Sequence, residues 1–230
     1  MMPSRVSVII PVFNEQEAIT QVLADLPRHL LHEIIVVDNG STDQTASLAT
    51  EAGARVVREG RRGYGSACLK GIACADTPDI VAFVDGDYSD HPDEMTRVLA
   101  PLIEGRADFC VGSRVLGHRE PGALLPQARF GNWLATALIA ALFGVDYTDL
   151  GPFRAIKKVT LDEMNMRDRT FGWTVEMQVK AAQNRVRTCE VPVSYRKRIG
   201  VSKITGTLEG TIKAGWKILF TILKHATRPT

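Results

Sequence analysis

The apolar run Ile80-Val81-Ala82-Phe83-Val84 ends abruptly in Asp85-Gly86-Asp87, two carboxylates one glycine apart. Charged side chains are seldom buried without a partner, so a buried strand that ends in two acids delivers them to a rim where a divalent cation facing a diphosphate would fit. The same triplet also reads as an Asx-rich turn with Gly86 at positive φ, and three residues do not separate the two readings. A glycine-rich stretch, Gly60-Arg61-Arg62-Gly63-Tyr64-Gly65, invites comparison with phosphate-cradling loops. It matches neither G-x-G-x-x-G nor the P-loop, because its spacing differs and no Lys-Ser/Thr follows, which argues against a dinucleotide or ATP site.

A scaffold must carry these residues, and the first half of the chain alternates β-rich runs with amphipathic helical patterns. Strands are predicted at Val6–Val12, Glu33–Asp38, Arg55–Arg58, 80–85 and 108–112, and helices at 15–26, 43–52, 65–75 and 92–103. Continuously apolar strands alternating with helices make an α/β fold, a mostly parallel sheet with flanking helices. Ser41-Thr42-Asp43-Gln44 has a capping-box pattern and 14–17 offers a similar cap, so both helices are expected to begin right after a strand end. Such sheets bind ligands beyond the carboxyl ends of their strands, where Asn14, Asp38 and 85–87 arrive.

With 230 residues, 45% of them hydrophobic, the chain can bury one substantial core and is too apolar for disorder. A formal net charge of +2 is too mild for a nucleic-acid-binding surface, yet Arg196, Lys197, Arg198, Lys203, Lys213, Lys217, Lys224 and Arg228 make the last part basic. Cys68, Cys74, Cys110 and Cys189 show no C-x-x-C spacing, which points to a reduced, cytoplasmic setting. Pro11 interrupts the first apolar run and no cleavage-site pattern follows, so that run is a strand and not a secretory signal. The apolar stretch 133–143 falls short of the roughly 20 residues that cross a bilayer. Leu208, Ile212, Trp216, Leu219, Phe220 and Leu223 recur at helical spacing beside Lys213, Lys217 and Lys224, as in a helix lying on a membrane surface. The segment 133–143 offers a second shallow anchor. The same stripe also suits packing on its own domain or on a second subunit of a homo-oligomer.

Pro11-Val12-Phe13-Asn14-Glu15, Val37-Asp38-Asn39-Gly40-Ser41-Thr42-Asp43, Asp85-Gly86-Asp87 and Gly112-Ser113-Arg114, in this order, resemble the motifs of glycosyltransferase family 2. Asp149-Leu150-Gly151-Pro152-Phe153-Arg154, Phe171-Gly172-Trp173-Thr174-Val175-Glu176 and Arg198-Ile199-Gly200-Val201-Ser202-Lys203 extend the resemblance over nearly the whole chain, to the branch containing dolichyl-phosphate mannose and glucose synthases. The resemblance implies a GT-A type, Rossmann-like sheet. Residues 1–206 would form the transferase domain, and 207–230 a basic amphipathic helix that either belongs to it or anchors it to a membrane surface. Pro11, Val12, Asn14, Glu15, Gly63 and Gly86 are implied at the nucleotide pocket, Arg62 facing a phosphate or solvent, and Asp38 accepting a hydrogen bond from the base or capping the next loop. Asp85 and Asp87 become the ligands of Mg²⁺ or Mn²⁺, a Lewis acid for the departing diphosphate. Relatives often carry Gln two places after the second acid, where this chain has Ser89, an oxygen donor directly or through water. Asp149 and Glu176 are implied as sugar ligands or bases, with an ion pair between Asp149 and Arg154 as the structural alternative. Trp173 either stacks on a sugar or fills the core.

A hydroxyl acceptor needs a base to take its proton, whereas a phosphate monoester, with its second pKa near ~6, is already a nucleophile and needs only cations to position it. Arg114, Arg129, Arg198 and Lys203 match basic positions of the polyprenyl-phosphate branch, and Ser202 and Lys203 are expected to close over the diphosphate with Gly200 as a hinge. The expectation is an inverting, metal-dependent transferase that moves a hexose from UDP-glucose or GDP-mannose to a polyprenyl phosphate, peripheral on the cytoplasmic face of a membrane. Transfer to a hydroxyl by the same fold is the first alternative. A sugar nucleotidyltransferase would need a glycine-rich basic loop after the first strand, which 11–15 is not. Intact Asp85 and Asp87 argue against a non-catalytic nucleotide-sugar-binding module.

Overall fold

The computed structural model describes residues 4–200 and 208–227, with the side chains of the last helix described from 215 onward. Seven strands, β1 (Val6–Val12), β2 (Glu33–Asp38), β3 (Arg55–Arg58), β4 (Ile80–Phe83), β5 (Phe109–Ser113), β6 (Arg154–Lys157) and β7 (Thr188–Pro192), form one sheet in the order β3-β2-β1-β4-β6-β5-β7. All are parallel except β6, which runs antiparallel to both of its neighbours. The apolar runs read from the sequence are the central strands, covered on both faces, so alternate side chains enter two separate cores. Val8, Ile10 and Val36 face α1 (Ile19–Asp25), α2 (Thr45–Glu51) and α4 (Met95–Ile103). Ile9, Ile35 and Phe83 face α3 (Tyr64–Cys74), α6 (Lys158–Met164) and α7 (Trp173–Gln183). The fold is thus the α/β, mostly parallel sheet with flanking helices that the pattern predicts.

Several boundaries differ from the prediction, each for a local reason. β4 stops at Phe83, so Val84 and Asp85 already belong to the loop. α1 and α2 start at Ile19 and Thr45, later than the capping patterns suggest. The would-be caps tie two loops together instead: Asn14, at φ 54°, accepts the Thr42 backbone N–H with its side-chain oxygen, and Asp43 accepts that of Gln16 as well as that of Thr45 in its own loop. The four cysteines are free, with Cys110 and Cys189 in register across β5 and β7.

A third apolar cluster joins α7 to α5 (Pro126–Phe143) and α8 (Leu208–Ala226) through Ile139, Val179, Ile218 and Ile222. The face of α8 that packs is therefore the one carrying 218 and 222. Trp216, Phe220 and Leu223, which belong to the predicted apolar stripe, stand exposed, as do Phe130 and Trp133 on α5. The side chains of Leu208, Ile212 and Lys213 lie outside the described residues. Among the described residues no helix is long and apolar enough to cross a membrane.

Candidate active site

The loop after β4 runs so close to β1 that a Cβ on Gly86 would lie 2.6 Å from Val12 Cγ1. Glycine is needed here for this approach and not for a positive φ, which occurs at Tyr88 instead (φ 63°). The chain after β7 returns along this loop, the backbone N–H groups of Arg196 and Ile199 donating to the carbonyls of Ser89 (2.9 Å) and Asp87 (3.0 Å). The Arg196 guanidinium also donates to the carbonyls of Tyr88 and Asp90. This return delivers Arg198, whose Nη2 lies 3.1 Å from Asp87 Oδ2 and 3.2 Å from Glu15 Oε1.

Three carboxylates crowd this loop. Burial, then the charge of Asp87, pushes the Asp85 carboxyl up to about 7, although the Tyr64 hydroxyl donates to its Oδ1 at 3.0 Å. Asp87 is held by Ser89, whose backbone N–H and hydroxyl both donate to Oδ1. The hydroxyl proposed as a third metal ligand thus orients the second acid. Asp90, not foreseen as a site residue, is 1% exposed, and its Oδ1 has no hydrogen-bond partner among the described residues. Burial and then the charges of Asp85 and Asp87 push its carboxyl well above the ordinary range. No three His, Cys, Asp or Glu side chains among the described residues converge as a complete metal cage. Asp85 and Asp87 fit instead the sparse site that Mg²⁺ favours, one or two carboxylates with phosphates and water completing the shell. Their mutual repulsion is what a cation would relieve.

A cavity of about 270 Å³ opens beside these acids and brings together Pro11, Val12, Glu15, Gly63, Asp85, Gly86, Asp87 and Arg198 of the predicted site. Phe13, Asn39, Arg62, Tyr64, Ala67 and Phe171 complete its walls. Asn39 fastens the glycine loop, its amide donating to the carbonyls of Glu59 and Arg61 and its oxygen accepting the Gly63 N–H. Gly63 sits at φ 135°, and a Cβ there would fall 2.1 Å from the Arg169 carbonyl oxygen. The Arg62 guanidinium stacks 3.6 Å above the Phe13 ring.

Other predicted residues lie elsewhere. Asn14 and Asp38 are outside the lining; Asp38 takes the capping role, accepting the Ser41 N–H at 2.8 Å. Trp173 is fully buried with its ring edge-on to Phe83, so it fills the core and does not stack on a sugar. Arg129 is exposed on α5, away from the lining. Ser202 and Lys203 lie outside the described residues.

Both candidate bases are fully engaged. Asp149 is buried and pairs with Arg114, not Arg154: its oxygens accept the Arg114 backbone N–H at 2.8 Å, Nε at 2.7 Å and Nη2 at 2.7 Å. Burial by itself would raise the Asp149 carboxyl, but the adjacent guanidinium overrides it and holds the group below the ordinary carboxylate range. Arg154 donates instead to the carbonyls of Leu150, Gly151 and Thr174. Glu176 accepts the backbone N–H groups of Arg167 and Asp168 and pairs with Lys180 Nζ at 2.8 Å, outside the cavity beside Asp85.

This sheet, with an acidic pair at the carboxyl end of a central strand, defines the chain as a GT-A type glycosyltransferase. Comparison with known proteins narrows the class: the glycosyl transferase family 2 model matches residues 7–164, and the chain belongs to that family. An uncharacterized glycosyltransferase of Mycobacterium tuberculosis (strain ATCC 25618 / H37Rv) is 36% identical over 225 residues, 95% of this chain and 100% of its own. A dolichyl-phosphate hexose transferase of Haloferax volcanii is 31% identical over 201 residues, 86% of each chain. A UDP-N-acetylglucosamine–dolichyl-phosphate N-acetylglucosaminyltransferase of Methanococcus voltae is 27% identical and covers 97% of this chain and 96% of its own. The crystal structure of glucosyl-3-phosphoglycerate synthase from Mycobacterium tuberculosis with Mn²⁺, UDP and glucosyl-3-phosphoglycerate shares the fold, with a TM-score of 0.78 at 23% identity over 99% of this chain and 81% of that one.

Proposed function

We propose that this glycosyltransferase moves a hexose from a nucleotide diphosphate sugar to a polyprenyl phosphate, with inversion at the anomeric carbon. The observation that carries the acceptor class is the engagement of both candidate bases, Asp149 by Arg114 and Glu176 by Lys180 and two backbone amides. A hydroxyl acceptor must surrender a proton as it attacks, and neither carboxylate is free to take it. A phosphate monoester, with its second pKa near ~6, arrives without that proton. The relatives named for dolichyl phosphate support the same acceptor class.

Asp85 and Asp87 would hold Mg²⁺ or Mn²⁺; the glucosyl-3-phosphoglycerate synthase structure of the same fold contains Mn²⁺ with UDP. Held there, such an ion would supply positive charge to the departing nucleoside diphosphate. Tyr64 and Ser89 orient the two acids through their hydroxyls. Arg198, now shared between Glu15 and Asp87, supplies a guanidinium for the phosphate oxygens, and Ser202 and Lys203 follow it in sequence. Pro11, Val12, Asn39, Gly63 and Phe171 line the cavity and would enclose the nucleotide. The exposed Trp216, Phe220 and Leu223 of α8 and Phe130 and Trp133 of α5, with Arg129 and Lys224, support seating on the cytoplasmic surface of the membrane that holds the lipid.

The test is transfer of label from a panel of UDP- and GDP-sugars, UDP-glucose and GDP-mannose first, into polyprenyl phosphate, with Mg²⁺ or Mn²⁺ and with chelator, for the wild type and Asp87→Ala. Metal-dependent label in the lipid, lost in the variant, is the expected result. Donor turnover with no lipid product overturns the acceptor assignment and redirects the search to hydroxyl acceptors.

A further inference from the structure

A second cleft, of about 410 Å³, lies between the 167–170 loop and α8. Arg61, Arg167, Arg169, Lys217 and Lys224 line it, with His225 beside them, against only Asp168 and Glu176. Both acids are already committed. Asp168 pairs with Lys217 Nζ at 2.7 Å and accepts the Thr170 N–H, while Glu176 is taken up by Lys180 and the loop backbone. Arg61, Arg167, Arg169 and Lys224 are exposed and form no ion pair among the described residues. Four exposed cations around one concavity repel each other, and no ion pair among the described residues offsets that repulsion. A cleft lined by one sign of charge also focuses its field and concentrates counter-ions.

We propose that this cleft is an anion site separate from the nucleotide pocket, taking a phosphate or diphosphate group borne by a soluble compound or by a lipid headgroup. Three of the four unpaired cations are arginines, whose planar guanidinia bind phosphate oxygens in pairs, whereas isolated surface lysines act as point charges. The exposed ring of Phe220 gives the cleft one apolar wall, and Trp216 and Leu223 stand exposed on the same helix, which suits a phosphate carried on a hydrocarbon. The two sites share a loop. The carbonyls of Arg169 and Thr170 accept the N–H groups of Ser66 and Gly65, and Phe171, next in the chain, walls the nucleotide pocket.

Titrating the ¹⁵N-labelled full chain with inorganic pyrophosphate, without divalent cations, reads the sites separately. Amides 168–170 and 221–225 report the cleft, and amides 85–89 the nucleotide pocket. The expected result is saturable shifts at the cleft amides, with apparent affinity about tenfold weaker in the Arg167→Gln, Arg169→Gln, Lys224→Gln triple variant, since each removes a charged phosphate donor. All three side chains are exposed, and an unchanged spectrum elsewhere checks that the variant is folded. Sedimentation with phosphatidylcholine vesicles, with and without phosphatidic acid, separates the sources. Binding to the acidic vesicles that the variant loses assigns a lipid headgroup; pyrophosphate shifts without vesicle binding assign a soluble anion. Shifts confined to 85–89, or equal behaviour of the wild type and the variant in both arms, overturn the proposal.

Discussion

Replacing Asp149 by Asn separates a carboxylate that supports Arg114 from one that takes a proton. Asn keeps the shape and one acceptor oxygen but removes the charge, leaving a guanidinium whose side chain is 11% exposed without its carboxylate. Breaking a buried pair from one side costs about 3–5 kcal/mol, and the retained acceptor places this substitution near ~3. At roughly 2–4 °C per kcal/mol for a domain of this length, the melting temperature should fall by about 6–12 °C. The effect has a pH signature. The Asp149 carboxyl is held below its unfolded value of 3.8, so the pair adds stability that is complete above that value and is lost as pH falls through the folded one. The gap between wild type and variant should therefore be constant from about pH 6 to 8 and narrow below about pH 4. Circular dichroism melts across this range measure it, followed by transfer assays at a temperature where both proteins are folded. An unchanged melting temperature together with a loss of turnover by about 10²–10⁴, the range expected for a lost general base, would refute the assignment.

Glu176→Gln strips a partner from Lys180 and weakens two backbone bonds; it should lower stability by about 1–3 kcal/mol in urea unfolding and leave the donor KM unchanged, and lost turnover at full stability would return Glu176 to the chemistry. Gly65→Ala places a Cβ 2.1 Å from the Asp168 carbonyl oxygen, so the start of α3 must move off the 167–170 loop, at a cost of about 1–3 kcal/mol and with a raised donor KM. Unchanged melting and kinetics in that variant would mean the loop yields freely. Asp85, pushed up to about 7 from 3.8, costs folding stability as pH rises between those values. In chelator at pH 8, Asp85→Asn should therefore be more stable than the wild type by up to about 4 kcal/mol, with the gap closing near pH 4 and transfer abolished. A wild type that melts higher than the variant at pH 8 without metal would show that the acids do not repel.

The legible parts of the site were those carried by contiguous residues. β1, β2 and β3 have the bounds read from their apolar runs, and the acids at 85 and 87 stand where the fourth run ends. What local reading missed depends on which strands are neighbours. Arg154, five residues from Asp149, is the nearer cation in the chain, but the true partner is Arg114, 35 positions away at the end of β5. That pairing exists only because β6 lies beside β5, and β6 has only four residues, Arg and Lys among them. Glu176 was implied as a site residue by the resemblance alone; it accepts the backbone N–H groups of the 167–170 turn, a role that leaves no side-chain pattern in the sequence. Asn39 and Phe171, by contrast, lay inside motifs already singled out, and Asp90 follows directly on the acidic loop. Their signal was present.

The reversal of β6 explains how separate stretches of the chain meet at one rim. In a parallel sheet each strand offers the rim the loop that follows it, as β4 offers 84–90 and β5 offers Arg114. A strand inserted antiparallel offers the loop that precedes it. The register pairs Arg154, the first residue of β6, with Phe83, the last of β4, and with Val111 of β5. Residues 149–153 therefore arrive between the exits of β4 and β5, so the Asp149 carboxylate meets Arg114 within the same crevice edge as the acidic loop. β7, parallel to β5, then releases its chain at that rim too, and the backbone bonds of 196–199 to Asp87 and Ser89 turn that exit into the arm that carries Arg198. A reversed central strand and a returning edge segment thus crowd cations against three carboxylates at one end of the sheet, the charge arrangement that a metal-bridged diphosphate would complete.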